Sequence, residues 1–247
     1  MIFGGVKIMY RNFIFDLYGT LIDINTDEHC RKTWTKYAGW LRTEGIYYDW
    51  RYLRHIFEKK CRFGMEARKA SGEYRYPEDD RFHVYADICR AKRPDYTDEQ
   101  VYHAGEVFRD CSVSYMRLYP NTIKVLEGVR AAGRKIFLLS NAQRMYTWQE
   151  MVRTGITEYF DDIFISSDFG CMKPDPVFWK MLIEKHNLDI SECVMIGNDS
   201  FSDISGADAV GMDAAYVRTL SDDDMPQCKY VFEDGDISHI LELLQEK

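Results

Sequence analysis

Six side chains of this 247-residue chain stand at or just beyond the ends of apolar runs, and their types could do chemistry together. Asp16 closes "NFIFD", Ser140 and Asn141 close "KIFLLSN", Asp199 closes "CVMIGND", and Lys173 follows soon after "DIFISSD". Asp203 stands four residues beyond Asp199, about one helical turn on. A carboxylate can attack phosphorus or carbon and form a covalent ester that water later cleaves. A hydroxyl and an amide can donate hydrogen bonds to the group in transfer, and a lysine can oppose its negative charge. Taken singly, each is equally at home as the polar start of a solvated loop. As a set converging on one cleft, they can hold a metal ion and a phosphate.

Convergence requires a scaffold. The runs at 12–16, 135–141, 162–168, 193–199 and 214–218 read as buried strands. Between most of them lie segments of helical spacing, such as "NTIKVLEGVRAAG", with Val125, Leu126 and Val129 on one face and Gly133 as a C-terminal cap. Apolar strands alternating with helices predict an α/β fold, a three-layer Rossmann-like core with a parallel sheet covered on both faces. Ligands bind at the carboxyl ends of such strands, where the polar residues are. "DISHILELLQ" supplies a last amphipathic helix.

Residues 24–114 break this rhythm. They show no convincing strand but at least three helical patterns, and both Asn25 to Glu28 and Thr97 to Gln100 fit a capping box. Cys30, Trp34, Tyr37 and Leu41 make one stripe, and Val101, Ala104, Phe108 and Cys111 make another. The spacing predicts a helical domain (24–114) inserted into a core of 1–23 and 115–247. This insert is near neutral, with 17 basic and 16 acidic residues, whereas the whole chain has a net charge of -8. That acidity argues against a nucleic-acid partner. No stretch is long and apolar enough for a membrane span, and the N-terminus lacks the pattern of a signal peptide. Seven cysteines without a Cys-x-x-Cys pair predict free thiols and a cytoplasmic protein; a monomer or homodimer is expected.

The quartet "DLYGTL", "LLSN", the lysine of "MKPDP" and "IGNDSFSDISGA" resembles, in order, the four motifs of the haloacid dehalogenase-like hydrolase superfamily. The insert after the first motif resembles that superfamily's α-helical (C1-type) cap. The resemblance implies that Asp16 is the nucleophile. It also implies that Ser140, Asn141 and Lys173 bind the transferring group, and that Asp199 and Asp203 belong to the acidic fourth motif.

Tyr18 departs from the superfamily's phosphatases, which usually place a second aspartate there as acid and base. With a pKa near 10 a tyrosine serves poorly in either role near neutral pH. "DLYGT" is similar to the 2-haloacid dehalogenases, whose departing halide needs no proton. The fourth motif points the other way, because those enzymes carry small neutral residues where this chain has Asp199. Three clustered carboxylates repel one another, and a magnesium ion would relieve them. The expected ligands are the Asp16 carboxylate, the Tyr18 backbone carbonyl and Asp199, with Asp203 facing the same cleft and positioning waters.

The expectation is a magnesium-dependent phosphatase acting on a small, anionic phosphorylated metabolite through an aspartyl-phosphate. The alternatives are a metal-independent 2-haloacid dehalogenase and a weakly catalytic binding protein. In the insert, 61–81 reads either as a solvated loop or as a lid whose Arg62, Arg68, Lys69 and Arg75 meet the substrate. The histidines at 29, 55, 83 and 103 have no metal-like spacing.

Overall fold

The computed structural model describes residues 10–219 and 225–244. In chain order its elements are β1 (Asn12–Phe15), β2 (Ile22–Thr26), α1 (Arg31–Thr43), α2 (Trp50–Ser71), α3 (Phe82–Arg90), α4 (Asp98–Ser112), β3 (Val113–Leu118) and α5 (Thr122–Ala131). There follow β4 (Lys135–Ser140), α6 (Arg144–Thr154), β5 (Asp162–Ile165), α7 (Pro176–His186) and β6 (Cys193–Gly197). A π-type turn (Ser200–Ile204) leads into α8 (Ser205–Asp208), then β7 (Asp213–Val217), β8 (Tyr230–Phe232) and a closing 3₁₀ segment (Ile237–Leu244).

The main sheet has the order β5-β4-β1-β6-β7-β8, and every pairing in it is parallel. Such a sheet is buried on both faces, which is why β1 and β6 are buried throughout and apolar but for Asn12 and Gly197. One face packs Phe13, Phe15, Leu138, Val194 and Ile196 against Val125, Leu126 and Val129 of α5. The other packs Ile14, Phe137, Leu139 and Met195 against Phe178, Trp179 and Leu182 of α7. Phe15 pairs with Leu138 on one side and Ile196 on the other. The chain therefore emerges at Asp16 in the middle of the sheet's carboxyl edge.

Helices α1 to α4 bury a cluster of their own. Trp34, Tyr37, Phe57, Tyr85 and Phe108 form its aromatic centre, and Met145 and Tyr146 of α6 pack into it. The Thr97–Gln100 capping box starts α4: the Gln100 amide donates to Thr97 Oγ1 (3.3 Å), and Thr97 donates to Gln100 Oε1 (2.9 Å).

Several details differ from expectation. Asn25 does not start a helix; it lies in β2, and α1 begins later, capped by Cys30. β2 and β3 form an antiparallel ribbon straddling both ends of the insert. The ribbon is short, with Asn25 and Arg117 exposed, Asp23 half-buried beneath Arg117, and few inward positions. The stretch 61–81 is not all loop, since α2 runs on to Ser71 and carries Arg62, Arg68 and Lys69. The edge strand β8 was missed for its brevity. Only 237–244 of the expected last helix falls in helical residues, and Gln245 lies outside the described residues.

Candidate active site

A cavity of about 430 Å³ opens at the carboxyl edge of the sheet. Asp16, Tyr18, Ser140, Asn141, Lys173 and Asp199 all line it, together with Asn198, Tyr76, Met172, Pro174, Phe201 and Ser202. Four separate strand ends thus deliver the side chains that the sequence singled out, with one exception. Asp203 does not face the cleft.

Asp203 is fully buried, beneath Lys173. The Lys173 ammonium donates to Asp203 Oδ1 (2.6 Å) and to Asp16 Oδ1 (2.8 Å), while Asp203 Oδ2 accepts the Asp199 amide (3.0 Å). Expecting Asp199 and Asp203 side by side in the cleft overlooked the π-type turn between them, which rotates Asp203 inward. Gly197 makes room for it, because a Cβ there would collide with the Asp203 carboxyl group. Burial pushes Asp203 up, to about 7, against the pull of Lys173 and with the help of Asp16. For Lys173, burial opposes the charged form, but Asp16 and Asp203 outweigh it and hold the ammonium above its ordinary pKa. The lysine is therefore a fixed, desolvated cation touching the nucleophile candidate.

Asn141 orients that lysine. Its Oδ1 accepts the Lys173 amide (2.8 Å) and its Nδ2 donates to the Lys173 carbonyl (2.9 Å). One of its side-chain N–H bonds is thereby committed and one is left for a ligand. The Ser140 hydroxyl is different: it is buried and, among the described residues, has no hydrogen-bond partner. Buried polar groups are nearly always satisfied, so an orphan hydroxyl on a cleft wall is a place for a ligand oxygen.

The turn after Asp16 is tight. Gly19 has φ +83°, and an added Cβ would strike the Asn198 amide, which accepts from Thr20 Oγ1 (3.2 Å). Tyr18 turns its hydroxyl away to Thr147 Oγ1 (2.9 Å) and to Glu150 Oε2. Burial first, and Glu150 second, push this phenol well above its ordinary pKa. Glu150 in turn accepts from Arg109 of α4 (2.7 Å), and Arg109 reaches Glu28 (3.2 Å), which also pairs with Arg81 (3.1 Å). A polar chain thus runs from the turn after Asp16 into the helical insert. Nothing in the sequence marked Glu150 or Arg109, because charges at helical spacing read as solvated faces, and Glu28 stood out only as a capping residue.

The basic residues at 61–81 do not line the cleft. Arg68 lies 3.8 Å from Asp79, and the Arg75 guanidinium sits over the Tyr76 ring at 5.3 Å. From this segment it is Tyr76, not a cation, that faces the site.

Two carboxylates, Asp16 and Asp199, reach the cleft. Among the described residues no three His, Cys, Asp or Glu side chains gather to hold a metal by themselves. Asp199 also spends Oδ1 on the Phe201 and Ser202 amides (2.9 and 2.5 Å). This donor set suits a hard cation that keeps several waters and takes further oxygens from a phosphate, as magnesium does. The charges agree: Asp16 and Asp203 share the one ammonium, and Asp199 adds a further carboxylate to the same cleft.

The family model of haloacid dehalogenase-like hydrolases matches residues 10–211, and the chain belongs to that family. Among curated proteins it is 27% identical over 214 residues to a glyceraldehyde 3-phosphate phosphatase of Pyrococcus abyssi, covering 85% of this chain and 82% of that one. It is 30% identical over 122 residues to a phosphoglycolate phosphatase of Vibrio vulnificus, covering 48% and 53%. A phosphatase structure from Thermococcus onnurineus superposes with a TM-score of 0.60 at 21% identity, covering 96% and 99%. A 2-haloacid dehalogenase of Pseudomonas syringae gives 0.61 at 19%, covering 96% and 98%. At these identities the structural likeness shows the fold. Among the described residues no helix is long and apolar enough to cross a membrane.

Proposed function

We propose that this hydrolase is a magnesium-dependent phosphatase acting on a small phosphorylated metabolite through a phosphoryl ester of Asp16. In this reading 24–114 is the helical cap, 1–23 with 115–247 the catalytic core, and the protein works in the cytoplasm as a monomer or homodimer. The observation that carries it is the orphaned, buried Ser140 hydroxyl in one cleft with Asp16, Asn141 and Lys173. The names of the curated relatives support the same activity.

Asp16 attacks phosphorus with the oxygen that Lys173 leaves free. A P–O bond to Asp16 forms, and the bond to the leaving oxygen breaks. Ser140 and the remaining Asn141 N–H hold phosphoryl oxygens, and Lys173 opposes the charge between nucleophile and phosphate. Water then cleaves the acyl phosphate and returns the Asp16 carboxylate. Asp16, Asp199 and the Tyr18 carbonyl would hold the magnesium, which when bound lowers the charge repulsion between carboxylate and phosphate dianion. Asp203 acts indirectly, by fixing Lys173 and the Asp199 backbone. The leaving alkoxide takes its proton from water or from the substrate, because the Tyr18 hydroxyl is committed to Glu150.

The test is a panel of phosphomonoesters, an acyl phosphate and 2-chloropropionate, each with magnesium and with EDTA. Phosphate release that EDTA abolishes is expected. Metal-independent chloride release would replace this reading with dehalogenation, and silence on every compound would leave a binding protein.

A further inference from the structure

Phe201 presents 57% of its surface to solvent two residues after Asp199, in the wall of the cleft. Sites for small organic ligands are lined largely by apolar and aromatic side chains, and Phe201 adds such a ring to this wall. Its aromatic neighbour is Tyr76 of the insert, edge-to-face at 5.9 Å and 76°. Tyr76 is held firmly. Its amide donates to Asp175 Oδ2 (3.0 Å), its carbonyl accepts the Met172 amide (3.0 Å), and Glu78 donates to the Gly170 carbonyl (2.9 Å). The insert thereby lies along the segment that carries Lys173, with Met172 and Pro174 extending the apolar wall.

The charge lining the cleft is as telling as the rings. Lys173 is the one cation among the lining residues that are described, and Asp16 and Asp203 already take two of its three N–H donors, which leaves one for the phosphoryl group. A second anionic group on a substrate would find no partner and would face Asp199. We propose that Tyr76 and Phe201 select the leaving group, and that the substrates are phosphomonoesters whose alcohol carries a flat, uncharged ring. This rests on the phosphatase reading above. The ring lies against Tyr76 and Phe201, while the phosphoryl group reaches Ser140 and Lys173. A cavity of about 430 Å³ falls in the range of sites for small organic ligands.

Benzyl phosphate and ethyl phosphate separate the ring from leaving-group strength, since both release simple alcohols. With magnesium, kcat/KM for benzyl phosphate should exceed that for ethyl phosphate about tenfold, the scale of one aromatic contact with its buried area, and 2-phosphoglycolate should rank below benzyl phosphate. Tyr76→Ala and Phe201→Ala should collapse the benzyl-to-ethyl ratio towards one, and Tyr76→Phe should keep it. Equal rates on the two esters, a ratio unmoved in both alanine variants, or preference for phosphoglycolate would overturn the proposal. Calorimetric binding of benzylphosphonate and ethylphosphonate, which cannot be hydrolysed, reads the same preference without turnover. Failure of the activity alone would then show as ring-selective binding without phosphate release, and failure of the selectivity as phosphate release without ring preference.

Discussion

Removing the Arg109 guanidinium is the sharpest perturbation of how the insert and the nucleophile turn are joined. Arg109 is 9% exposed and Glu150 2%, so Arg109→Met leaves a buried carboxylate that keeps the Tyr18 hydroxyl but loses its ion-pair partner. Breaking a buried ion pair from one side costs roughly 3–5 kcal/mol. Each kcal/mol lowers Tm by about 2–4 °C in a domain of this size, so Arg109→Met should melt roughly 6–20 °C below the parent. Replacing both partners with apolar groups removes the stranded charge, and such exchanges are often neutral. Arg109→Met with Glu150→Leu should therefore recover most of the loss. Scanning calorimetry of the parent, both single variants and the double variant closes the cycle. A Tm drop under 2 °C for Arg109→Met, or a double variant worse than the sum of the singles, would refute the reasoning. Tyr18→Phe belongs to the same series: it removes a donor from Glu150 and should cost about 1–3 kcal/mol.

The other predictions are more local. Asp199→Ala should weaken magnesium binding at least tenfold by titration calorimetry, and unchanged binding would remove Asp199 from the metal site. Wild type should turn over aryl and acyl phosphates faster than alkyl phosphates, because general acid catalysis is worth roughly 10²–10⁴-fold and the Tyr18 hydroxyl does not supply it; an alkyl preference in steady-state assays would mean another residue does. Arg62→Ala, Arg68→Ala and Lys69→Ala should each change kcat and KM less than twofold, since these side chains stand on α2 away from the cleft. His239 hydrogen-bonds Glu242 first and Asp234 second, which raises its pKa to about 9. Its contribution to stability is therefore complete below the ordinary histidine pKa of about 6.5 and is lost as pH rises through about 9. The gap in urea midpoint between wild type and His239→Gln should be visible at pH 6 and gone near pH 10.

The sheet was legible because a strand buried on both faces must be almost wholly apolar, and β1, β4 and β6 are. The polar ends of those strands, with Lys173 after β5 and the resemblance of the four motifs, pointed to Asp16, Ser140, Asn141, Lys173 and Asp199, and all five line one cavity. What escaped depended on pairings distant in sequence. β2 and β3 are short, half-exposed and separated by the whole insert, so neither shows a pattern by itself. Asp203 was located to the right helical turn but not to the right side of Lys173, because the turn is wider than an α-helix. Arg109 and Glu150 look like surface charges until α4 and α6 are packed together. Tyr76 carried no signal beyond being an aromatic in a charged segment.

The central claim is that Asp16 carries the phosphoryl group. Wild-type protein should be mixed with a good phosphomonoester substrate and magnesium, quenched in acid within the first turnover, digested and weighed. The account predicts one phosphoryl group on the peptide containing Asp16, absent after EDTA and absent in Asp16→Asn, which should also show no turnover while remaining folded. Turnover by Asp16→Asn near the wild-type rate, or a phosphoryl group on another residue, would contradict it.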